Sequence, residues 1–330
     1  MSSTPGTPTS PSNQLNKPVF TPAQLEARAI LTHLLTLLSN PTPHAATTTT
    51  TTHPHTKYSV WINSHSIPAL TTSLYSLIRP QLWHLLSTRL SLDALKSLGG
   101  DLRHEGRAIY LNGILGVDKR LRIYVGQSGN LRQRVGQHLN FRYRRDHPSV
   151  HYWALEWSVY NVFGVLALIP PAERHGGMGL AGLERLDLVM NVLEMWMCLV
   201  FRSLPCATLV DWLPDDGLVD KGRRMAKEGV VGGLNVASPL DQGVEGKDMP
   251  FVDLSEETDP VVQEYLREMK RRKGGEVEVV KVKIGDGDME VDEEERARRK
   301  KMYAEKARRY QRRRDTDIVI PQWVFLGALA

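Results

Sequence analysis

Cysteine is nearly absent from this chain, which has two in 330 residues, Cys198 and Cys206. They form no Cys-x-x-Cys pair, so the usual ligand pattern of a structural zinc site is missing and a reducing compartment fits. No long apolar run is present either. Leu188 to Phe201 is the longest in the middle of the chain, and Asn191 and Glu194 interrupt it. It is too short and too polar at its centre to span a bilayer, so no membrane partner is expected. Residues 1 to 19 are rich in Ser, Thr, Pro and Asn and lack an apolar stretch of signal-peptide type, so secretion is not expected. Acidic residues are missing between Arg122 and Arg145, where six arginines fall.

What remains is an ordinary globular composition, 41% apolar and 24% charged. The length allows one large core or two small ones. A formal net charge of +5 leans mildly toward acidic partners such as nucleic acid, and the clustering of that charge matters more than its total.

Taken in order, residues 1–57 read as a disordered N-terminus with one helix and a Thr-rich linker. Thr21, Pro22 and Gln24 have capping-box spacing, and leucines then recur to about Ser39. Residues 58–105 read as a helical lead-in. Tyr58 to Ile62 is read as a short strand, Ala69 to Ile78 and Pro80 to Leu90 as helices, and Ser91 as the cap of a helix ended by Gly99-Gly100. Residues 106–242 carry a core of order β-β-α-β-(β)-α. Within it, Val150 to Val159 and Tyr160 to Ile169 read as two strands, and about Leu183 to Ser203 as a long helix. Residues 243–330 form a charged, partly helical C-terminal extension, with helices at Pro260 to Arg272 and Glu293 to Arg314. The expected class is α+β, a small antiparallel sheet flanked by helices.

The segment that organises the chain is Arg107 to Leu139. Ala108-Ile109-Tyr110 and Tyr124-Val125-Gly126 are strand-forming runs separated by a Gly/Asp-bearing turn at Gly116 to Lys119. Asn130 is a good N-cap, and Leu131, Val135 and Leu139 recur at helical spacing. Arg134 and His138 stand at i and i+4 and share a helix face.

This order of parts resembles the GIY-YIG nuclease family. Ala108-Ile109-Tyr110 stands for the first motif, with Ala in place of the family's Gly, and Tyr124-Val125-Gly126 closely matches the second. Arg134 falls at the family's helix arginine, eight residues after Gly126. His138 falls at a position where the family often carries histidine. The resemblance spans Gly106 to Gln242. It implies a metal-dependent endonuclease that hydrolyses DNA phosphodiester bonds, with RNA left open as a substrate. By resemblance Tyr110 is the general base or water-positioning group, and Tyr124 contacts the scissile phosphate or the water. Arg134 supplies the charge and bidentate geometry that suit phosphate. His138 assists proton transfer or contacts phosphate.

Glu194 is the sharpest isolated feature of the later helix. On a buried face a carboxylate is costly unless paired or bound to a cation; on a solvated stripe with Asp187, two turns back, it needs no such reason. The resemblance favours the buried reading, because the family's late helix carries one metal-binding glutamate, and it implies Mg2+ or Mn2+. Asn235, in Gly-Leu-Asn-Val, matches an asparagine that follows that helix in the family, and by that match it is expected among the nucleic-acid-binding residues.

Arg132, Arg142, Arg144 and Arg145, interleaved with Phe141 and Tyr143, suit backbone charge plus base stacking on nucleic acid. From Asp292 to Arg314 eleven Lys/Arg stand against five Asp/Glu, which fits a duplex or a nuclear import signal and equally a solvated helix. The expected location is the nucleus or another intracellular compartment. Two other functions stay open: a nucleic-acid-binding module that kept the fold without catalysis, and an interaction protein working through its charged C-terminal helices.

Overall fold

A computed structural model describes residues 20–40, 56–171, 180–215, 225–226, 229–241, 254 and 257–272. The expectations for residues 1–19, the threonine tract and everything after 272 lie outside the described residues.

The N-terminal elements are five helices: α1 (Pro22–Ser39), α2 (Thr56–Asn63), α3 (Ile67–Ser76), α4 (Pro80–Leu86) and α5 (Leu92–Leu98). Their starts follow from side chains that satisfy the otherwise unpartnered first-turn amides. Thr21 forms a full capping box with Gln24, while Ser66 and Ser91 cap α3 and α5. Gly99 ends α5 with a φ of 52°, which a residue without a Cβ adopts at little cost. Tyr58 to Ile62 is helical, not a strand. Five residues are too few to separate the two periods, and Tyr58, Trp61 and Ile62 are buried at helical spacing.

The sheet has the order β3-β1-β2-β5-β4, from β1 (Arg107–Gly116), β2 (Leu121–Ser128), β3 (Ser158–Ile169), β4 (Met225–Ala226) and β5 (Gly229–Gly233). β1 pairs antiparallel with both β2 and β3, whereas β5 pairs parallel with β2. The sheet is therefore mixed and not purely antiparallel. β5 returns only after a connection far longer than a hairpin, which is what a parallel pairing needs. A register shift on β3 faces Ile109 and Tyr110, and the Leu166 carbonyl there accepts a hydrogen bond from the Arg79 backbone N–H.

Three helices follow β2 before the chain returns as β3: α6 (Leu131–Leu139), α7 (Phe141–Asp146) and α8 (Val150–Glu156). The expected strand at Val150 to Val159 is thus mainly helix. Its Val, Tyr and Trp favour strands, but Ser149 accepts a hydrogen bond from the Tyr152 N–H and starts a helix. After β3 come α9 (Leu186–Val200) and α10 (Cys206–Trp212); a charged helix, α11 (Pro260–Arg272), closes the described chain.

The two sheet faces have different cores. Ile109, Leu111, Ile123 and Val125 point to a large apolar cluster that includes α9 and the leucines of α1. Ala108 and Tyr110 point the other way, with Leu131, Val135, Phe163 and Val165. β1 lies between two strands and two covered faces, so nearly all its residues are buried. Each fully buried Leu or Ile contributes about 1.5–3 kcal/mol relative to exposure. Among the described residues no helix is long and apolar enough to cross a membrane.

Candidate active site

Strand register brings the two motif tyrosines together. Tyr110 pairs across from Gly126, and Tyr124 from Asn112. The tyrosines are therefore diagonal neighbours on one face, with ring centroids 6.4 Å apart. Gly126 has a steric reason to be glycine: a Cβ there would lie 2.5 Å from the Tyr110 hydroxyl oxygen. The Tyr110 ring lies across the space that a side chain would fill.

Helix α6 adds the polar groups. Asn130 caps it, so its first turn starts just beyond the end of β2. The Tyr110 hydroxyl lies 2.7 Å from His138 Nε2, and Arg134 Nε donates to the same oxygen at 3.4 Å. Arg134 Nη1 reaches Gln137 Oε1 at 3.2 Å and the Tyr143 hydroxyl at 3.5 Å. Tyr110 is fully buried, at 0% exposure, while Tyr124 and Arg134 are half-buried and reach the surface.

These positions set the protonation states. Burial pushes the Tyr110 phenol well above its ordinary pKa, and neighbouring Tyr124 adds to this against the opposing pull of Arg134. Burial and the Glu194 charge raise Tyr124 as well. Burial pushes His138 down to about 3, with Arg134 and Arg144 adding to the shift. Near neutral pH both phenols are protonated, the imidazole is neutral, and Arg134 is the fixed cation among them.

Glu194 comes from α9 and is 3% exposed, so the stripe with exposed Asp187 does not exist. Its charge raises the pKa values of Tyr110, Tyr124, Tyr58 and Cys198, although its helix packs on the sheet face opposite the tyrosines. α9 is held against the sheet one turn earlier. Asn191 Oδ1 accepts from Gln127 Nε2 at 2.7 Å, Asn191 Nδ2 donates to the Tyr58 hydroxyl at 2.9 Å, and that hydroxyl donates to the Leu240 carbonyl at 2.8 Å.

A hard divalent cation takes oxygen donors, and Mg2+ is often held by one or two carboxylates with the rest of its shell from water and substrate. The buried Glu194 carboxylate is an oxygen donor of that kind. Among the described residues no group of three or more His, Cys, Asp and Glu side chains is placed to cage a metal.

The remaining expected residues fall in two places. Arg132 and Arg145 are exposed and paired with Glu105 and Asp146. Arg142 is exposed on α7, Phe141 beside it is 50% exposed, and Arg144 donates to the His138 carbonyl at 2.8 Å. Arg142, Arg144 and Arg145 with Phe141 form a basic, aromatic-bearing rim on α7, whose Tyr143 hydroxyl Arg134 reaches, while Arg132 lies apart at the start of α6. Asn235 is not on this rim. It is buried, its Oδ1 accepts from the Val125 N–H at 2.9 Å, and its Nδ2 donates to the Val125 carbonyl at 2.7 Å. Its amide thus completes the β2 edge beside Tyr124 where β5 stops pairing.

One site neighbour escaped the sequence reading. His151, on α8, stacks on Tyr124 with centroids 3.9 Å apart. The overlooked signal was Ser149, whose cap turns this stretch into a helix. No protein-family model, curated protein or solved structure matches this chain.

Proposed function

We propose that the protein is a metal-dependent endonuclease of GIY-YIG type acting on DNA. The observation that carries this reading is the meeting of Tyr110, Tyr124, Arg134 and His138 on one sheet face, with buried Glu194 on the helix behind the sheet bearing electrostatically on the same two phenols. Phosphodiester hydrolysis needs a cation at the phosphate, an ordered water and a stabilised leaving oxygen. Arg134 is permanently charged, partly exposed and forked, so it clamps phosphate oxygens. The rim of Arg142, Arg144 and Arg145 adds sequence-independent attraction for the backbone, and Phe141 offers a stacking face.

Glu194 would hold Mg2+ or Mn2+, which when bound supplies charge stabilisation at the phosphate and the leaving oxygen. The exposures divide the work of the tyrosines. Tyr124 reaches the surface and makes the contact to water or phosphate. Tyr110 lies behind it, holding Arg134 in place through its hydroxyl. A general-base role for Tyr110 requires Arg134 to stabilise the phenolate against burial. Asn235 keeps the β2 edge straight beside Tyr124. The full burial of Tyr110 is what favours the second reading, a nucleic-acid-binding module without catalysis.

The test is cleavage of supercoiled plasmid and of branched DNA and RNA with Mg2+ or Mn2+, comparing wild type with Glu194→Ala. The expected outcome is cleavage by wild type and loss of about 100-fold or more in the variant, with DNA affinity retained. DNA binding without cleavage by folded wild type selects the second reading. Equal cleavage by both proteins removes Glu194 from the site.

A further inference from the structure

The site described above leaves one buried group without a task. His151 comes from α8, on the tyrosine face of the sheet, and is almost fully buried. Its ring lies parallel to Tyr124, with centroids 3.9 Å apart and planes 5° apart. Its edge meets the His138 ring at 4.9 Å and 76°. Its Nε2 lies 3.4 Å from Asn112 Oδ1, and Asn112 is the residue directly across the strand pair from Tyr124. The imidazole is thus tied to β1 at one edge while its face covers the phenol of β2.

We propose that His151 is a positioning residue for Tyr124: its flat ring, held by Asn112, stops the phenol from swinging toward α8, so that the hydroxyl stays aimed at the reacting phosphate. This rests on the nuclease reading above. The physical need is specific. A tyrosine side chain that reaches the surface can turn about its Cα–Cβ bond, which carries the hydroxyl through an arc, unless a neighbour blocks it. A parallel ring at van der Waals distance blocks that turn, whereas a branched aliphatic chain of similar volume leaves an uneven surface. Shape is also the property His151 has to offer. Burial and the nearby His138, Arg134 and Arg144 keep it uncharged, so it brings no proton to neutral-pH chemistry.

Two substitutions separate plane from volume and from nitrogen chemistry. His151→Phe keeps a flat ring, and His151→Leu keeps apolar bulk without one. Cleavage of an oligonucleotide duplex gives kcat and KM, and fluorescence anisotropy with Ca2+ in place of Mg2+ gives affinity. The expected result is a kcat lowered about tenfold or more in His151→Leu at nearly unchanged affinity, with His151→Phe recovering most of that loss. Should the leucine variant misfold, Asn112→Ala, which unties the same ring, is expected to lower kcat in the same way by about threefold or more. Wild-type kcat in folded His151→Leu overturns the inference and leaves the nuclease reading standing, as does wild-type kcat in Asn112→Ala if the leucine variant misfolds. Equal losses in the phenylalanine and leucine variants overturn it in favour of a chemical role for the imidazole. A folded wild type that binds DNA and never cleaves overturns both.

Discussion

His138 shows how strongly position governs chemistry at the scale of one residue. An ordinary histidine titrates near 6.5, whereas burial beside Arg134 and Arg144 pushes this one down to about 3. Between those values the unfolded chain binds a proton that the folded chain does not. Stability therefore rises with pH across that window; this contribution is fully present above about 6.5 and is lost as pH falls toward 3. A group of this kind contributes a slope of at most about 1.4 kcal/mol per pH unit. Urea unfolding of wild type and His138→Gln at several pH values between 4 and 6.5 is expected to show the shallower dependence in the variant, and identical slopes would refute the neutral histidine. His151 acts in the same direction, so part of the slope remains. The spacing of Arg134 and His138 was readable from helical periodicity alone. That Tyr110 would sit inside and Tyr124 at the surface was not, because alternation along two strands says which face a residue takes but not what covers that face.

At the scale of elements, caps were the most readable features and short mixed segments the least. Thr21, Ser91 and Asn130 each start the helix expected of them, because each supplies an oxygen to an amide that has no other partner. The same chemistry at Ser149 was outweighed by the strand-forming Val150, Tyr152 and Trp153, and His151 was missed with it. β5 lay in a glycine-rich stretch whose strand character comes from its partner β2 and not from its own composition. The docking of α11 was invisible for another reason: it depends on residues far apart in sequence. Arg122 of β2 is 1% exposed and binds two carboxylates, Asp118 at 2.7 Å and Asp259 at 2.8 Å. Asp259 Oδ1 also accepts from the Val261 N–H at the start of α11. Removing one partner of a buried ion pair costs about 3–5 kcal/mol, and Asp118 remains to hold the charge. We expect Asp259→Ala to lower stability by about 2–3 kcal/mol and to raise hydrogen exchange in α11 and at the β2–β5 pairing. Chemical denaturation and exchange mass spectrometry read both, and unchanged exchange in α11 would show that the helix is held by its apolar contacts instead.

The whole molecule has fewer independent parts than its sequence suggests. One apolar cluster runs from Ala27 and Ile30 of α1 through the sheet and α9 to Leu240. Two polar links stitch the same span: the Trp196 indole donates to the Ala27 carbonyl at 2.8 Å, and Tyr58 binds both Asn191 and Leu240. The helical lead-in thus covers the sheet face opposite the tyrosines and sits behind the Glu194 helix. A fragment beginning at residue 106 exposes that face. Its expected behaviour is aggregation, or a far-UV spectrum without a cooperative melt, while the chain from residue 20 onward melts in one step. A soluble, cooperatively folding fragment would instead show that the sheet and α6 to α9 stand alone.

The bond from Tyr58 to the Leu240 carbonyl spans 182 residues of chain. A ribosome adding roughly 5–20 residues per second takes roughly 10–40 s to cover that interval. Throughout it the leucines of α1, and from before its midpoint the inner face of the hairpin, have been made without the segment that closes over them. The architecture that seats Glu194 so firmly therefore brings with it a long exposure during synthesis, and a demand on whatever shields nascent apolar surface in the cell.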